Sequence, residues 1–235
     1  MRMLEKISRI KKIWDDEFFE AGIRCCEILE YGHGHRNSMK MRECVDTNNN
    51  PLPWYTYPAI EYIRQLDLSE KTVFEFGCGN SSLFWGKIAK KVISIDDDEE
   101  WYIKIKKLIK NPNEISLRIS KEDYPNYINK FSDNFDIIII DGKYRLNCAK
   151  NAVKKITPTG MIIVDNSDWY TNTCRYLRNA GLIQIDMTGF GPINTYTWST
   201  SFFLKRGFDF QPLDNIQPAP GIGSISQTPP LDDYE

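Results

Sequence analysis

The sequence predicts an α/β fold in which a doubly wound, mostly parallel sheet is covered by helices on both faces. Short apolar strands alternate with amphipathic helical segments between residues 73 and 180, a pattern typical of parallel sheets. Four consecutive isoleucines at 137–140 are expected in a strand that is buried on both faces. The last two apolar segments have no helix between them, which predicts an antiparallel pair at one edge.

The elements of this sheet follow one another in chain order. Apolar runs predict strands at 73–76, 92–95, 115–119, 137–140, 161–164, 183–187 and 198–204. Apolar residues at helical spacing predict helices at 81–90, 99–110, 146–156 and 169–180. Asn80 or Ser81 is expected to cap the first of these helices. A turn is expected at 157–160, and Gly181 suits the position after a helix.

Appendages flank this region on both sides. Residues 1–30 predict a helical extension, and 31–53 are rich in turn formers and predict a loop that acts as a lid or binding loop. A short helix at 57–66 follows, with Pro58 in its first turn. We therefore divide the chain into an N-terminal helix with a lid loop (1–52), the α/β domain (53–210) and a poorly ordered Pro-rich tail (211–235).

Bulk composition narrows the classes of function. The 235 residues carry a net charge of −2, so no basic excess indicates nucleic acid as the main partner. No apolar run approaches the roughly 18 residues of a membrane span, and we expect no membrane association. The six cysteines contain no C-x-x-C pair and are expected to be reduced thiols in a cytoplasmic protein. The sequence leaves open whether the protein forms a homo-oligomer.

A glycine loop follows the first strand and precedes a helix. Gly77 and Gly79 allow a sharp turn and a close approach to a ligand. Ser82 stands where a dinucleotide-binding loop has its third glycine. Glu75 precedes the first glycine, and its carboxylate suits an amine-bearing cofactor but repels a pyrophosphate. The alternative interpretation is a plain strand-to-helix turn.

Acidic residues end the second strand. Asp96 lies 21 residues after Glu75, and a carboxylate about 20 residues beyond the glycine loop can accept hydrogen bonds from ribose hydroxyls. Asp97 and Asp98 are more simply interpreted as a solvated cluster that caps the next helix.

This succession of motifs, over residues 53–205, resembles class I S-adenosylmethionine-dependent methyltransferases. The resemblance rests on Glu75 with its glycines, Asp96, and the Asp141 and Asp165 that follow two buried strands. It implies a seven-stranded sheet with the last strand antiparallel. It also implies a role for each motif. The loop from Glu75 through Gly77 and Gly79 to Asn80 would bind the methionine part of the cofactor, and Asp96 would bind the ribose. Ser120 and Lys121 would flank the adenine, and Asp141 would lie near the sulfonium.

Asp141, Asp165 and Asn166 follow buried strands, so they are expected at the carboxyl edge of the sheet. Their oxygens suit Mg²⁺ or Ca²⁺. The arrangement resembles metal-dependent O-methyltransferases of the catechol and caffeoyl-CoA type, in which a metal lowers the pKa of the substrate hydroxyl. Residues 141–145 lack the second acidic residue of some of those enzymes. Alternatively, Asp165 and Asn166 only cap the next helix.

Two further groups are candidates for the acceptor site. His33 and His35 are the only histidines, and a neutral histidine is a common general base; two ordinary surface histidines are the alternative. Aromatic residues cluster around 52–58, 169–170 and 196–198. Together they suggest a planar or sugar-like substrate, although core packing explains any single ring.

The sequence therefore predicts an O-methyltransferase that acts on a hydroxyl of a small molecule or a sugar, such as a surface glycan or a natural product. Two alternatives remain open: an NAD-dependent oxidoreductase of nucleotide sugars, and an inert methyltransferase-like subunit that binds a partner protein. An open cavity lined by Asp141 and Asp165 is expected for the enzyme, and a cavity filled by side chains is expected for the inert subunit.

Overall fold

Seven strands form one sheet in a computed structural model that describes residues 2–14 and 19–225. The strands are β1 (Thr72–Phe76), β2 (Lys91–Asp96), β3 (Glu114–Arg118), β4 (Phe135–Ile140), β5 (Ile156–Val164), β6 (Ile183–Gly189) and β7 (Trp198–Leu204). Their order is β3-β2-β1-β4-β5-β7-β6. The first five are parallel, and β7 is antiparallel to both β5 and β6. The predicted mostly parallel sheet with an antiparallel last strand is confirmed.

Helices connect the strands and precede them. They are α1 (Arg2–Trp14), α2 (Phe19–Glu27), α3 (His35–Met41), α4 (Tyr57–Arg64), α5 (Asn80–Ile88), α6 (Glu99–Leu108), α7 (Arg145–Lys155) and α8 (Thr171–Asn179). A π-helical turn covers Ile28–Gly32 and a 3₁₀ helix covers Tyr124–Lys130. None of the described helices has the length and apolar character needed to cross a membrane.

The sheet separates two hydrophobic cores, as expected of a doubly wound fold. One core contains Val73, Ile137 and Ile139 with side chains from α4 and α5. The other contains Phe74 and Ile138 with side chains from α7 and α8. Neighbouring strand residues therefore point into opposite cores, which explains why the apolar runs do not alternate with polar residues.

Three local predictions were wrong. Residues 157–160 are not a turn but part of β5, and Gly160 is needed because a Cβ there would lie 2.5 Å from the carbonyl oxygen of Asp136. The predicted loop at 31–53 contains α3, which is held by a 2.6 Å hydrogen bond from Ser38 Oγ to the carbonyl oxygen of Val45. The cap of α5 is Gly79, one residue before the predicted cap.

The predicted tail at 211–235 is described only as far as residue 225. Its first part packs against α4 and is not detached from the domain. The backbone N–H of Ala219 donates to Gln65 Oε1 at 3.0 Å, and that of Ile222 donates to Glu61 Oε2 at 3.2 Å. The expected disorder of 226–235 concerns residues outside the described ranges, as does the predicted helical character of residues 1 and 15–18.

The six cysteines all lie in the described part of the chain and are free thiols. Four of them are buried, among them Cys148 and Cys174 in the second core. The four buried positions suit cysteines that behave as small apolar residues, whereas Cys25 and Cys26 are exposed.

Candidate functional site

A cavity of about 470 Å³ opens at the carboxyl edge of the sheet. Residues that follow β1, β2, β4 and β5 line it, because the ends of parallel strands meet at one edge. Seven of the residues singled out in the sequence are among them: Gly77, Gly79, Asn80, Asp96, Asp141, Asp165 and Asn166. Glu75, Ser120, His33 and His35 lie outside its lining.

Gly77 makes the turn between β1 and the glycine loop. Its φ is +106°, a backbone conformation that L side chains rarely adopt. A Cβ at Gly77 would also lie 3.1 Å from the backbone nitrogen of Gly142, which belongs to the loop after β4. The two loops therefore touch at this point, and Gly77 is required by both conformation and space.

Glu75 holds this loop in place from the protein interior and does not face the cavity. Its side chain is fully buried and accepts hydrogen bonds from Ser82 Oγ at 2.5 Å and Ser94 Oγ at 2.7 Å. Ser82 Oγ also accepts a 3.1 Å hydrogen bond from the backbone N–H of Gly79. Burial raises the pKa of Glu75 to about 7, and the serine hydroxyls oppose that rise. Ser82 is thus the link between the carboxylate and the glycine loop.

Asp96 ties the end of β2 to the same loop. Its Oδ2 accepts a 3.0 Å hydrogen bond from the backbone N–H of Cys78, and its Oδ1 accepts one of 2.9 Å from that of Asp98. Trp101, on the first turn of α6, donates from its indole nitrogen to the carbonyl oxygen of Cys78. The loop is held between Asp96 and Trp101, and Trp101 was not anticipated from the sequence.

The other acids of this strand end have separate roles. Asp98 caps α6 by accepting from the backbone N–H of Trp101 at 3.0 Å, as predicted. Asp97 forms an ion pair with Lys143 at 2.9 Å. Ser120 is exposed, and its Oγ accepts from the backbone N–H of Asp123 at 3.3 Å. Ser120 therefore caps a turn beside the 3₁₀ helix and does not reach the cavity.

Arg145 occupies the centre of the predicted metal site. Its guanidinium donates to Asp141 Oδ1 at 3.1 Å and to Asn166 Oδ1 at 3.3 Å. It also donates to the carbonyl oxygens of Gly142, Asp141 and Asp165. Among the described residues, no group of three His, Cys, Asp or Glu side chains is placed to hold a metal ion. Two of the three predicted ligands are already bound to a cation, so the metal does not fit this arrangement.

Asp165 is the most buried acid that lines the cavity, with 3% of its surface exposed. Its Oδ1 accepts hydrogen bonds from Trp198 Nε1 at 2.9 Å and from Thr200 Oγ1 at 2.6 Å. Burial, and then the charge of neighbouring Asp141, raises the pKa of Asp165 to about 8. Burial also raises the pKa of Asp141, while Arg145 opposes that rise. Burial and the neighbouring acid thus hold the pKa of this carboxyl group well above its ordinary value.

The histidines form a packed group away from the cavity. His33 stacks on Tyr57 with ring centroids 4.0 Å apart, and its Nε2 lies 3.5 Å from Glu61 Oε1. His35 Nδ1 lies 3.2 Å from Tyr57 Oη. Burial and the nearby charge of Arg64 lower the pKa of His33 to about 4, and burial lowers the pKa of His35. Both rings stay neutral at pH 7, but the structure does not bring them to the cavity.

The remaining wall comes from the N-terminal appendage and from aromatic side chains. Asn80 Nδ2 donates to the carbonyl oxygen of Cys44 at 2.9 Å, which joins the start of α5 to the segment after α3. Half-exposed rings also line the cavity. Three come from the aromatic clusters noted in the sequence, Trp54, Trp169 and Tyr196, and the fourth is Trp101.

Sequence reasoning missed Arg145, although the motif that begins at Asp141 contains it. Arg145 is the first residue of α7, whereas Asp141 lies in the loop before that helix, so their ion pair depends on the path of the loop and not on helical spacing. Trp198 belongs to the aromatic cluster at 196–198 that the sequence offered for the acceptor site, but its hydrogen bond to Asp165, like that of Thr200, follows only from the pairing of β7 with β5.

Comparisons with known proteins do not assign the chain to a family. No protein-family model matches the chain, and no curated protein matches its sequence. A solved methyltransferase-like protein from Silicibacter pomeroyi is 17% identical, with a TM-score of 0.49 over 66% of this chain and 89% of that one. Precorrin-6y C5,15-methyltransferase from Geobacter metallireducens is 10% identical, with a TM-score of 0.48 over 62% and 84% of the two chains. A putative methyltransferase from Streptococcus mutans in complex with SAH is 19% identical, with a TM-score of 0.43 over 60% and 91%. These likenesses assign neither a substrate nor the role of any residue.

Proposed function

We propose that the chain is an S-adenosylmethionine-dependent methyltransferase that methylates a hydroxyl group of a small molecule or sugar. The observation that carries the proposal is the convergence of the glycine loop, Asp96 and Asp165 on one open cavity. A cofactor site and a proton acceptor thereby share one space. This convergence favours an enzyme over an inert subunit, whose corresponding space would be filled by side chains.

The residues along one side of the cavity fit this cofactor. Gly77 and Gly79 let the chain turn beside a ligand without side chains in the way. Asp96 uses its carboxylate oxygens for two backbone N–H groups, and further lone pairs of those oxygens are available to ribose hydroxyls. Trp101, beside Gly79, offers a ring to the same region. When bound, the cofactor supplies an electrophilic methyl group.

Asp165 is the group that removes the proton of the acceptor hydroxyl. A general base works best when its pKa lies near the working pH, and the pKa of Asp165 is raised to about 8. Trp198 and Thr200 hold one carboxylate oxygen in place. Arg145 positions Asp141 and Asn166 beside it and supplies a fixed positive charge.

A nicotinamide dinucleotide suits the loop poorly. Pyrophosphate binding at such a turn uses free backbone N–H groups at the start of the helix. Here the N–H of Cys78 is bound to Asp96, and the N–H of Gly79 is bound to Ser82. The buried carboxyl group of Glu75 behind the loop adds repulsion towards a phosphate whenever it is ionised.

Calorimetric titration with S-adenosylhomocysteine tests the proposal. We expect the wild type to bind it with release or uptake of heat, and NAD⁺ to give none. Asp96→Ala is expected to weaken binding by at least about tenfold, the change that roughly 1.4 kcal/mol produces. Asp67→Ala, an aspartate whose Oδ1 accepts from Ser69 at 3.0 Å outside the cavity, is the matched control and is expected to bind normally. Absence of binding by folded protein, or equal affinity in the Asp96 variant, would overturn the cofactor assignment.

A further inference from the structure

We infer that the methyl acceptor is a carbohydrate chain of at least two sugar rings, which lies across two adjoining cavities with Trp169 between its rings. The inference rests on the proposed function and adds the class of substrate. It depends on a second cavity, on the exposed rings around both cavities, and on the distribution of charge among them.

The second cavity has a volume of about 390 Å³ and lies at the start of α7 and α8. Arg145 and Trp169 line both cavities, so the two are neighbours. None of the cofactor-side residues Gly77, Gly79 and Asp96 lines the second cavity. A cofactor that occupies the glycine loop therefore leaves this space to the acceptor.

Trp169 is the most exposed aromatic ring of the group, with 59% of its surface accessible. Its ring centroid lies 6.4 Å from that of Tyr196, and the two planes are inclined by 31°. Tyr170 continues the aromatic surface into the second cavity, where its ring lies 4.1 Å from the guanidinium carbon of Arg145. Large rings left exposed beside a cavity indicate a surface that a ligand covers, and flat apolar faces of sugar rings match it.

The polar groups of the second cavity are mostly uncharged. Asparagine and threonine side chains from α7 and α8 supply donors and acceptors of the kind that sugar hydroxyls use: Asn147, Thr171, Asn172 and Thr173. Its one cation is Arg145, which already pairs with Asp141.

A nucleic-acid strand also stacks on aromatic rings, but it requires a positively charged groove. The first cavity instead carries four acids against two arginines: Glu43, Asp96, Asp141 and Asp165 against Arg42 and Arg145. Even with Asp165 protonated, as its raised pKa favours at neutral pH, the acids of this cavity are not outnumbered by its arginines. The cavity therefore lacks the positive excess that a phosphate chain requires, and a neutral chain suits it. A single small ring would fill the first cavity alone and leave the second without a role.

The test is a glycan array that carries monosaccharides and longer oligosaccharides, with single-stranded oligonucleotides in additional wells. It is probed with the 235-residue chain saturated with S-adenosylhomocysteine. We expect oligosaccharides of two or more rings to bind about tenfold more strongly than single sugars. Asn147→Trp, which fills the second cavity from an exposed position on α7, is expected to abolish that preference while binding of S-adenosylhomocysteine is unchanged. Trp169→Ala is expected to lose binding to both classes of glycan.

Tyr31→Ala removes another exposed ring, 71% accessible and outside both cavities, and is expected to behave as wild type. Equal binding of single sugars and chains, an unchanged preference in Asn147→Trp, or stronger binding of oligonucleotides than of glycans would each overturn the inference. Protein that binds S-adenosylhomocysteine but no glycan would also overturn it and leave the proposed function intact. Loss of S-adenosylhomocysteine binding by the wild type would instead overturn the proposed function.

Discussion

Arg145 forms an ion pair with Asp141, four residues earlier in the chain, with 3.1 Å between Arg145 Nη2 and Asp141 Oδ1. The guanidinium is charged at every accessible pH. Only 7% of the Arg145 side chain is exposed, so the charge is little screened by solvent. A permanent cation therefore stands where the sequence alone suggested a divalent metal.

We expect Mg²⁺ to have no effect on this protein. Because Arg145 already neutralises Asp141 and binds Asn166, a divalent ion would meet an occupied, positively charged site. Melting temperature and affinity for S-adenosylhomocysteine should be the same in excess EDTA and in millimolar MgCl₂. A melting temperature that rises with Mg²⁺ concentration would contradict this assignment and restore the metal site.

Arg145→Ala should destabilise the protein by about 2–4 kcal/mol, because it leaves carboxylates in a buried site without their cation. Arg145→Lys should recover only part of the loss, since an ammonium group cannot reproduce the several directed hydrogen bonds of the guanidinium. Urea unfolding at pH 7 measures both values. Equal stability of the lysine variant and the wild type would show that charge alone matters and that the geometry of Arg145 does not.

The effect of replacing Asp165 on folding stability should depend on pH. The folded pKa of about 8 lies above the ordinary value of 3.8, so the native state binds a proton that the unfolded chain releases. This stabilisation is complete below about pH 4 and is lost as pH rises to about 8. Asp165→Asn stays neutral and should be more stable than the wild type at pH 9, by on the order of 2 kcal/mol or roughly 4–8 °C in melting temperature.

Asp165→Ala is the matched comparison for that variant. Alanine offers no acceptor to Trp198 and Thr200, so it should lose stability at both pH 5 and pH 9. If the asparagine and alanine variants respond alike to pH and to denaturant, the charge of Asp165 is not what makes the stability of the wild type differ from that of Asp165→Asn at pH 9. Melting curves of the three proteins at the two pH values decide the matter.

Ser82→Ala should lower stability by about 1–3 kcal/mol, because it removes a donor from a buried carboxyl group and an acceptor from the N–H of Gly79. The loss should be larger at pH 8 than at pH 5, since Glu75, with its pKa raised to about 7, needs that donor most when it is ionised. Ser69→Ala, an exposed serine bound to Asp67, should change stability by less than about 0.5 kcal/mol. Equal losses in the two variants would remove the special role of Ser82.

Alanine substitutions at two glycines with left-handed backbones can distinguish the cost of the backbone conformation from the cost of steric crowding. Gly181, after α8, has a φ of +88° and open space where a Cβ would lie, whereas Gly77 has a φ of +106° and a close neighbour in Gly142. Gly181→Ala should cost about 1 kcal/mol. Gly77→Ala should cost more and should also weaken binding of S-adenosylhomocysteine, which calorimetry measures. Normal binding by the Gly77 variant would show that the turn is not part of the cofactor site.

The fold was predictable where one physical signal dominated. The isoleucines of β4 identify a strand because they are buried on both sides, and the absence of a helix before Trp198 identifies an antiparallel pair. Threonine, proline and glycine at 157–160 favour a turn locally, but in the structure these residues continue β5 as an irregular stretch, across which the register with β4 shifts and Gly160 comes close to Asp136. Local preference lost to tertiary contacts there.

The acids of the site were predictable because the ends of parallel strands meet at one edge. Their partners were not. Ser82 was interpreted as a missing glycine, yet its hydroxyl is what fixes the loop. The donors to Asp165 come from a strand more than thirty residues later in the sequence, and their positions depend on register that no local pattern encodes.

The position of β7 between β5 and β6 imposes an order on how the site is completed. During synthesis β6 leaves the ribosome before β7. The strand that pairs with β5 is nevertheless β7, Trp198–Leu204, so the edge of β5 stays unpaired until β7 has been synthesised. Until that strand is inserted, Asp165 lacks the indole and hydroxyl that hold it. A nascent chain thus acquires its glycine loop early and the two donors to Asp165 last, so the cavity reaches its final form only once β7 has joined the sheet.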